Sequence, residues 1–259
     1  MSLTSKTPKD TYKDLLEIDN SNSGVDSTVR SIKTGDGSST AISTSDRSCI
    51  ISSTTDNTGA FYVQNSAEAI KFQVDTTNNQ VKALAHQVNT QYANFSINSS
   101  VAGSAGMSAN THYAIPFCGT ASATILSLGT STDPATSLTL STTADDVVTC
   151  FWYVMDNITI DRIVWWSGAD AATGDTVRTH LMAYDVDIDN GSTSGDLSSG
   201  AVLATSTDVT NAGYEQAYYN QMSIATADVD AGKVILFAFR ADSVNSDYAI
   251  NATIKYHLR

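Results

Sequence analysis

The chain has 259 residues, of which 41% are hydrophobic and only 16% charged, and its formal net charge is −13. That length holds one large domain or two smaller ones, with enough apolar residues for a real core. The acidic balance argues against nucleic-acid binding, which needs a basic face, and against direct attraction to an anionic membrane.

The first predicted element is a short helix within residues 1–24. Thr7 is placed to cap it, Pro8 suits the first helical position, and Asp10 sits near the positive end. Tyr12, Leu15 and Leu16 follow at three- and four-residue spacing, with Ile18 close behind, and "DNSNSG" at 19–24 stops the run. Such a helix is marginal alone and needs a partner to pack against. The segment "MSLTSKTPKDTYKDLLEI" carries charges every few residues and reads as no secretion signal; no apolar run in the chain has the length to span a bilayer.

Residues 25–85 read as a β-meander of five or six short strands. "STVRSIK" precedes the turn "TGDGSS"; "AFYVQN" and "IKFQVD" follow, the latter with Ile70, Phe72 and Val74 on one face; "TTNNQ" turns into "VKALA". Its apolar side chains are too few for a core of its own, so the apolar face is expected to be buried against further copies or another protein. Residues 86–111 lose the strand pattern in "NFSINSSVAGSAGMSAN" and read as a linker.

Residues 112–259 return to strand-like runs separated by turn residues: "HYAIPF", "VVTCFWYVM", "ITIDRIVWWSG", "TVRTHLMAYDVDI", "KVILFAFRA" and "YAINATIKYHL" among them. The expected fold is all-β, an antiparallel β-sandwich of jelly-roll type. The acidity fits this, because it comes from aspartate, a turn residue, while glutamate occurs only at Glu17, Glu68 and Glu215. Adjacent Trp165 and Trp166 must point to opposite faces of a strand, one into the core and the other to solvent, a ligand or a subunit interface.

Few residue patterns suggest chemistry. "DVDIDNGSTSGD" at 185–196 offers carboxylates at positions 1, 3 and 5 of a calcium loop. Its glycine comes one residue late, position 12 is Asp196 rather than glutamate, and a strand precedes it, so it reads as a strand end and polar turn carrying a row of aspartates. His86, His112, His180 and His257 are scattered, without metal-ligand or nucleophile spacing. Cys49, Cys118 and Cys150 are far apart and odd in number, so free, mostly buried thiols are expected. No catalytic residue, metal ligand or cofactor is assigned.

Two stretches, "TPKDTYKDLLEIDNSNSGVDSTVRSIKTGDGSSTAIS" and "NSAEAIKFQVDTTNNQVKA", resemble the N-terminal part of virion proteins of marine tailed bacteriophages. Further on, "TADDVVTCFWYV", "TGDTVRTHLM" and "VDAGKVILFAFRADSVNSDYAINATIKYHLR" resemble the β-sandwich tips of such proteins. The resemblance implies a non-enzymatic structural protein, a homotrimeric fibre, spike or decoration protein located on the virion. It implies an N-terminal anchor, contacting capsid or tail proteins through Tyr12, Leu15, Leu16 and Ile18. The shortness of the stalk favours a capsid-mounted head fibre. The alternative is a tail fibre recognising host surface glycans, which the aromatic runs "CFWYVM" and "IVWWSG" would serve.

Overall fold

A computed structural model of the chain describes residues 16–21, 23–97, 108–119, 126–140, 144–170, 173–213, 216–243 and 247–259. They divide into two units, Met1–Asn89 and Thr90–Arg259. Both are antiparallel β, as expected. Helical structure among the described residues is confined to α1 (Ala144–Val147) and a 3-10 turn at Val148–Cys150.

The first unit is two up-and-down sheets of four strands. One contains β1 (Leu16–Ile18), β2 (Arg30–Thr34), β3 (Ser39–Thr44) and β4 (Cys49–Ile51); the other contains β5 (Phe61–Gln64), β6 (Ile70–Asp75), β7 (Gln80–Ala83) and β8 (His86–Gln87). The meander is therefore present: residues 25–85 carry six strands, β2 to β7, within the five or six expected, and the short β1 and β8 extend it at either end. The expected N-terminal helix does not extend through Leu16 and Ile18. They lie in β1, where Leu16 faces Thr34 and Ile18 faces Ile32, and the neighbouring Lys33–Asp19 ion pair closes at 2.7 Å. "LEI" satisfies a two-residue period as readily as a helical one, and Ile32 supplies a cross-strand partner. Tyr12 and Leu15 lie outside the described residues.

No large apolar side chain of this unit is buried among the described residues; its buried residues are Ser45 and Asp75. Cross-strand pairs Phe61↔Val74 and Val63↔Phe72 build an apolar face on the second sheet, yet Phe61, Val63, Ile70 and Phe72 all stay exposed.

The second unit has two sheets. The smaller runs in the order β16 (Ala217–Gln221), β12 (Ile158–Asp170), β20 (Asp247–Leu258), β9 (Thr90–Ile97), with β18 (Asp228–Val229) on β12. The larger runs β10 (His112–Ile115), β19 (Lys233–Ala241), β13 (Thr176–Val186), β14 (Leu197–Thr205), β17 (Ser223–Ile224). The short strands β11 (Trp152–Tyr153) and β15 (Val209–Thr210) pair with β19 and β13. Strand β9 falls inside the expected linker. It pairs with β20 from Thr90↔His257 to Ile97↔Ile250, and its Ala93, Phe95 and Ile97 are buried. Three apolar residues among small polar ones form a strand here because a long partner is available.

One apolar core fills the space between the sheets. Phe95, Ile163, Trp165 and Ile254 enter from the smaller sheet, Leu181, Phe237 and Phe239 from the larger. A second core covers the other face of the larger sheet, where Leu126, Leu128, Val147 and Cys150 pack on Met182, Tyr184, Leu236 and Ala238. Strand β19 is thus buried on both faces, which is why "VILFAF" is continuously apolar. The expected polar corner at Gly232, with φ of 85°, leads into it. Much of "VVTCFWYVM" is not strand: residues 147–150 are helical because Val147 and Cys150 turn onto that second core. Tyr184 fixes the covering segment by donating to the Ala135 carbonyl at 2.8 Å. Gly200 lies so close that a β-carbon there would meet the Tyr184 ring at 2.5 Å.

Among the described residues, the smaller sheet is covered on one face only. Strand β12 shifts register between Ile160 and Arg162, which makes Asp161 the extra residue of a bulge. Ile158 and Ile160 before it, and Ile163 and Trp165 after it, all therefore face the core. Trp165 is 0% exposed and Trp166 48%. Replacing Trp165 by alanine is expected to cost about 3–5 kcal/mol. The same change at Trp166 should cost less than about 1 kcal/mol, both read by urea unfolding.

Candidate functional site

The uncovered face of the smaller sheet brings side chains from four strands into rows. Arg162 lies opposite Lys255, itself opposite Tyr92. The next row is Gln221, Val164, Thr253 and Asn94; the one after it is Tyr219, Trp166, Asn251 and Ser96. Gly168, Ala217 and Ala249 end the series with almost no side chain.

Three aromatic residues stand out from this face: Tyr92 is 62% exposed, and Trp166 and Tyr219 are each 48% exposed. Trp166 and Tyr219 meet edge to face with ring centroids 5.3 Å apart. The small residues beside Trp166 leave a depression of about 400 Å³, bordered by Ser96, Gly168, Ala217, Ala249 and Asn251. A second, of about 280 Å³, is lined by Tyr92, Arg162, Val164, Tyr219, Thr253 and Lys255. Arg162 is held over the sheet by two hydrogen bonds, Nη2 to Tyr219 Oη at 2.8 Å and Nε to Gln221 Oε1 at 3.1 Å. The surface is a flat aromatic and amide platform with cations at one end. No family model, curated protein or solved structure matches the chain.

A polar cluster lies on the other side of the unit, on the outer face of the larger sheet. His112 and His180 meet edge to face at 4.9 Å. Ala238, opposite His180 on the intervening strand, leaves room for the two rings. His112 Nδ1 lies 3.3 Å from the Gly129 carbonyl and His180 Nε2 lies 3.6 Å from Asp133 Oδ1. Arg178 is clamped by Asp208 at 2.8 and 3.1 Å, while Arg240 donates to Asn110 Oδ1 at 3.0 Å. Burial, then the neighbouring His112, pushes His180 down to about 4, and burial likewise lowers His112. A histidine at that value is neutral near pH 7 and takes up no proton there.

The aspartate-rich stretch is a strand end and turn, as expected, but the aspartates form no row. Strand β13 ends at Val186, so only Asp185 is on it, paired with Lys233. Asp187 accepts from the Asp189 N–H at 2.9 Å and from Thr193 Oγ1 at 2.6 Å, bonds that hold its carboxyl below the usual range. Asp196 accepts the Leu140 N–H at 2.6 Å. Asp187 thus serves the hairpin itself, while Asp185 and Asp196 tie it to Lys233 on β19 and to Leu140. His257 binds Asp161 at the β12 bulge, with Nδ1 3.0 Å from Oδ1. None of the three cysteines is in a disulfide among the described residues; Cys150 is buried, but Cys49 and Cys118 are exposed, against the expectation of mostly buried thiols. Strands at the unit surface carry Cys49, and a turn with φ of 58° carries Cys118.

The platform combines residues that no sequence spacing joins, from β9, β12, β16 and β20. The signal that was readable is the Trp165–Trp166 pair on a strand.

The His180 shift sets a pH dependence. An unfolded histidine titrates near 6.5 and the folded one at about 4. The unfolded chain therefore binds more protons between those values. The stability linked to His180 is complete above about pH 6.5 and declines as pH falls toward 4, by up to roughly 3 kcal/mol. Urea unfolding near neutrality and at about pH 4.5 should show a steeper loss for the wild type than for His180→Asn; equal losses would contradict this. Calorimetric titration with calcium should give no better than about millimolar affinity. A micromolar site lost in Asp187→Ala would show a true metal loop.

Proposed function

We propose that this protein is a non-enzymatic structural component of a bacteriophage particle, a surface-exposed homotrimeric fibre or spike mounted on the capsid. The observation that carries the reading is the first unit: two four-stranded sheets with exposed Ile42, Ile51, Phe61, Val63 and Phe72 and no buried apolar side chain among the described residues. Isolated sheets of that kind lack the burial that offsets chain entropy, and association supplies it at roughly 25 cal/mol per Å². The resemblance of residues 4–85 and of the later strands to phage virion proteins says which kind of assembly. In this reading Thr90–Arg259 is a jelly-roll head: its strand orders, β16-β12-β20-β9 and β10-β19-β13-β14, support that assignment. The N-terminal segment with Tyr12, Leu15, Leu16 and Ile18 attaches the trimer to other virion proteins, and Leu16 is exposed and available for contact.

A second reading, a tail fibre that recognises host-surface glycans, is favoured by the exposed Tyr92, Trp166 and Tyr219 on one sheet face.

Light scattering of the full chain at micromolar concentration should give three times the chain mass of 27.4 kDa; a monomer would defeat the trimer. Deleting residues 1–20 should leave the head folded yet absent from purified particles, and normal incorporation would refute the anchor.

A further inference from the structure

We infer that the uncovered face of the smaller sheet binds an acidic polysaccharide, with Trp166 and Tyr219 stacking on sugar rings and Arg162 and Lys255 taking the carboxylate of a uronate. The inference rests on the glycan reading above and names the ligand class and the residues.

Charge is the first argument. The chain carries a net charge of −13, yet the rows from Arg162 to Gly168 and their neighbours on β9, β16 and β20 contain two cations and no carboxylate. The Arg162 hydrogen bonds go to neutral groups of Tyr219 and Gln221. Lys255 has no carboxylate partner among the described residues, whereas Lys33, Lys82 and Lys233 each have one. Asp161, at the nearby bulge, is occupied by His257. Cations left unpaired on so acidic a chain favour an anionic ligand.

The surface chemistry is the second. A pyranose presents a flat C–H face to an aromatic ring and hydroxyls around its edge. Trp166 and Tyr219 offer the rings, and Asn94, Asn251 and Thr253 offer amide and hydroxyl groups in the rows between them and Tyr92. Strands lie about 4.8 Å apart, so the four rows of strands present a platform roughly 14 Å wide, suited to a short stretch of polymer. A second copy of the chain is a poorer occupant: burying the Asn and Thr rows and Lys255 in a subunit interface would desolvate polar groups and a lysine, which interface centres exclude. Hydroxyls replace that lost water.

The test uses the full chain and calorimetric titration with oligosaccharides of alginate, pectate and hyaluronate, each beside its carboxyl-esterified counterpart. The expected result is binding to at least one acidic oligomer, weakened about tenfold or more by Trp166→Ala and restored in part by Trp166→Tyr. Lys255→Gln should weaken the acidic oligomer about tenfold and leave the ester unchanged. Both alanine and glutamine variants should keep the wild-type melting temperature and oligomeric mass. Equal binding of acid and ester would overturn the acidic ligand while leaving glycan recognition standing. No binding to any oligomer would overturn both. Binding indifferent to both variants would place the ligand elsewhere, and loss of the oligomer in Trp166→Ala would make the face a subunit interface.

Discussion

Each strand of Thr90–Arg259 must send alternate side chains to opposite faces of its sheet, and the two sheets differ in how many faces are covered. The larger sheet has apolar packing on both sides, so β19 can be apolar throughout. Among the described residues the smaller sheet has it on one side, so β12 alternates, and Trp165 and Trp166 part company. Everything that distinguishes this unit follows from that difference. The outer face of the larger sheet hides two histidines, and the outer face of the smaller one displays aromatic side chains.

The chain order reinforces the arrangement. Apart from the β13–β14 hairpin, consecutive main strands fall in different layers, so most neighbours within a sheet come from distant parts of the sequence: β9 lies beside β20, and β10 beside β19. Non-local pairing of this kind folds slowly, but it ties both ends of the unit into one sheet. The bulge at Asp161 completes the design. In a regular strand Ile160 and Ile163, three residues apart, would fall on opposite faces; the bulge lets both be buried and turns Arg162 outward.

Much of the second unit was legible because its strands are long. "KVILFAFRA" and "ITIDRIVWWSG" carry enough periodicity to define β19 and most of β12. Short or compensated elements were not. Strand β9 reads as linker because Ala93 is small and only Phe95 and Ile97 mark its buried face; its existence depends on β20, far away in sequence. The helical turn at 144–150 looks like strand because its valines and cysteine are β-formers, and only the second core explains why the chain turns there. The platform was half visible: a Trp pair announces one exposed ring, but nothing local announces that Tyr92 and Tyr219 share its face. At the N-terminus, three residues of "LEI" fit either period, and the partner strand decided between them.

The first unit obeys the same rules with a different outcome. Its sheets alternate and turn as regularly as those of the second, yet neither has an apolar layer against it among the described residues; in the proposed trimer, association supplies the burial that these sheets lack. The direct measurement is amide hydrogen exchange of the full chain across a dilution series. The account predicts that β2, β3, β6 and β7 lose protection as the oligomer dissociates, while β12, β13, β19 and β20 keep theirs. Undiminished protection of the first unit in a dissociated monomer would contradict it.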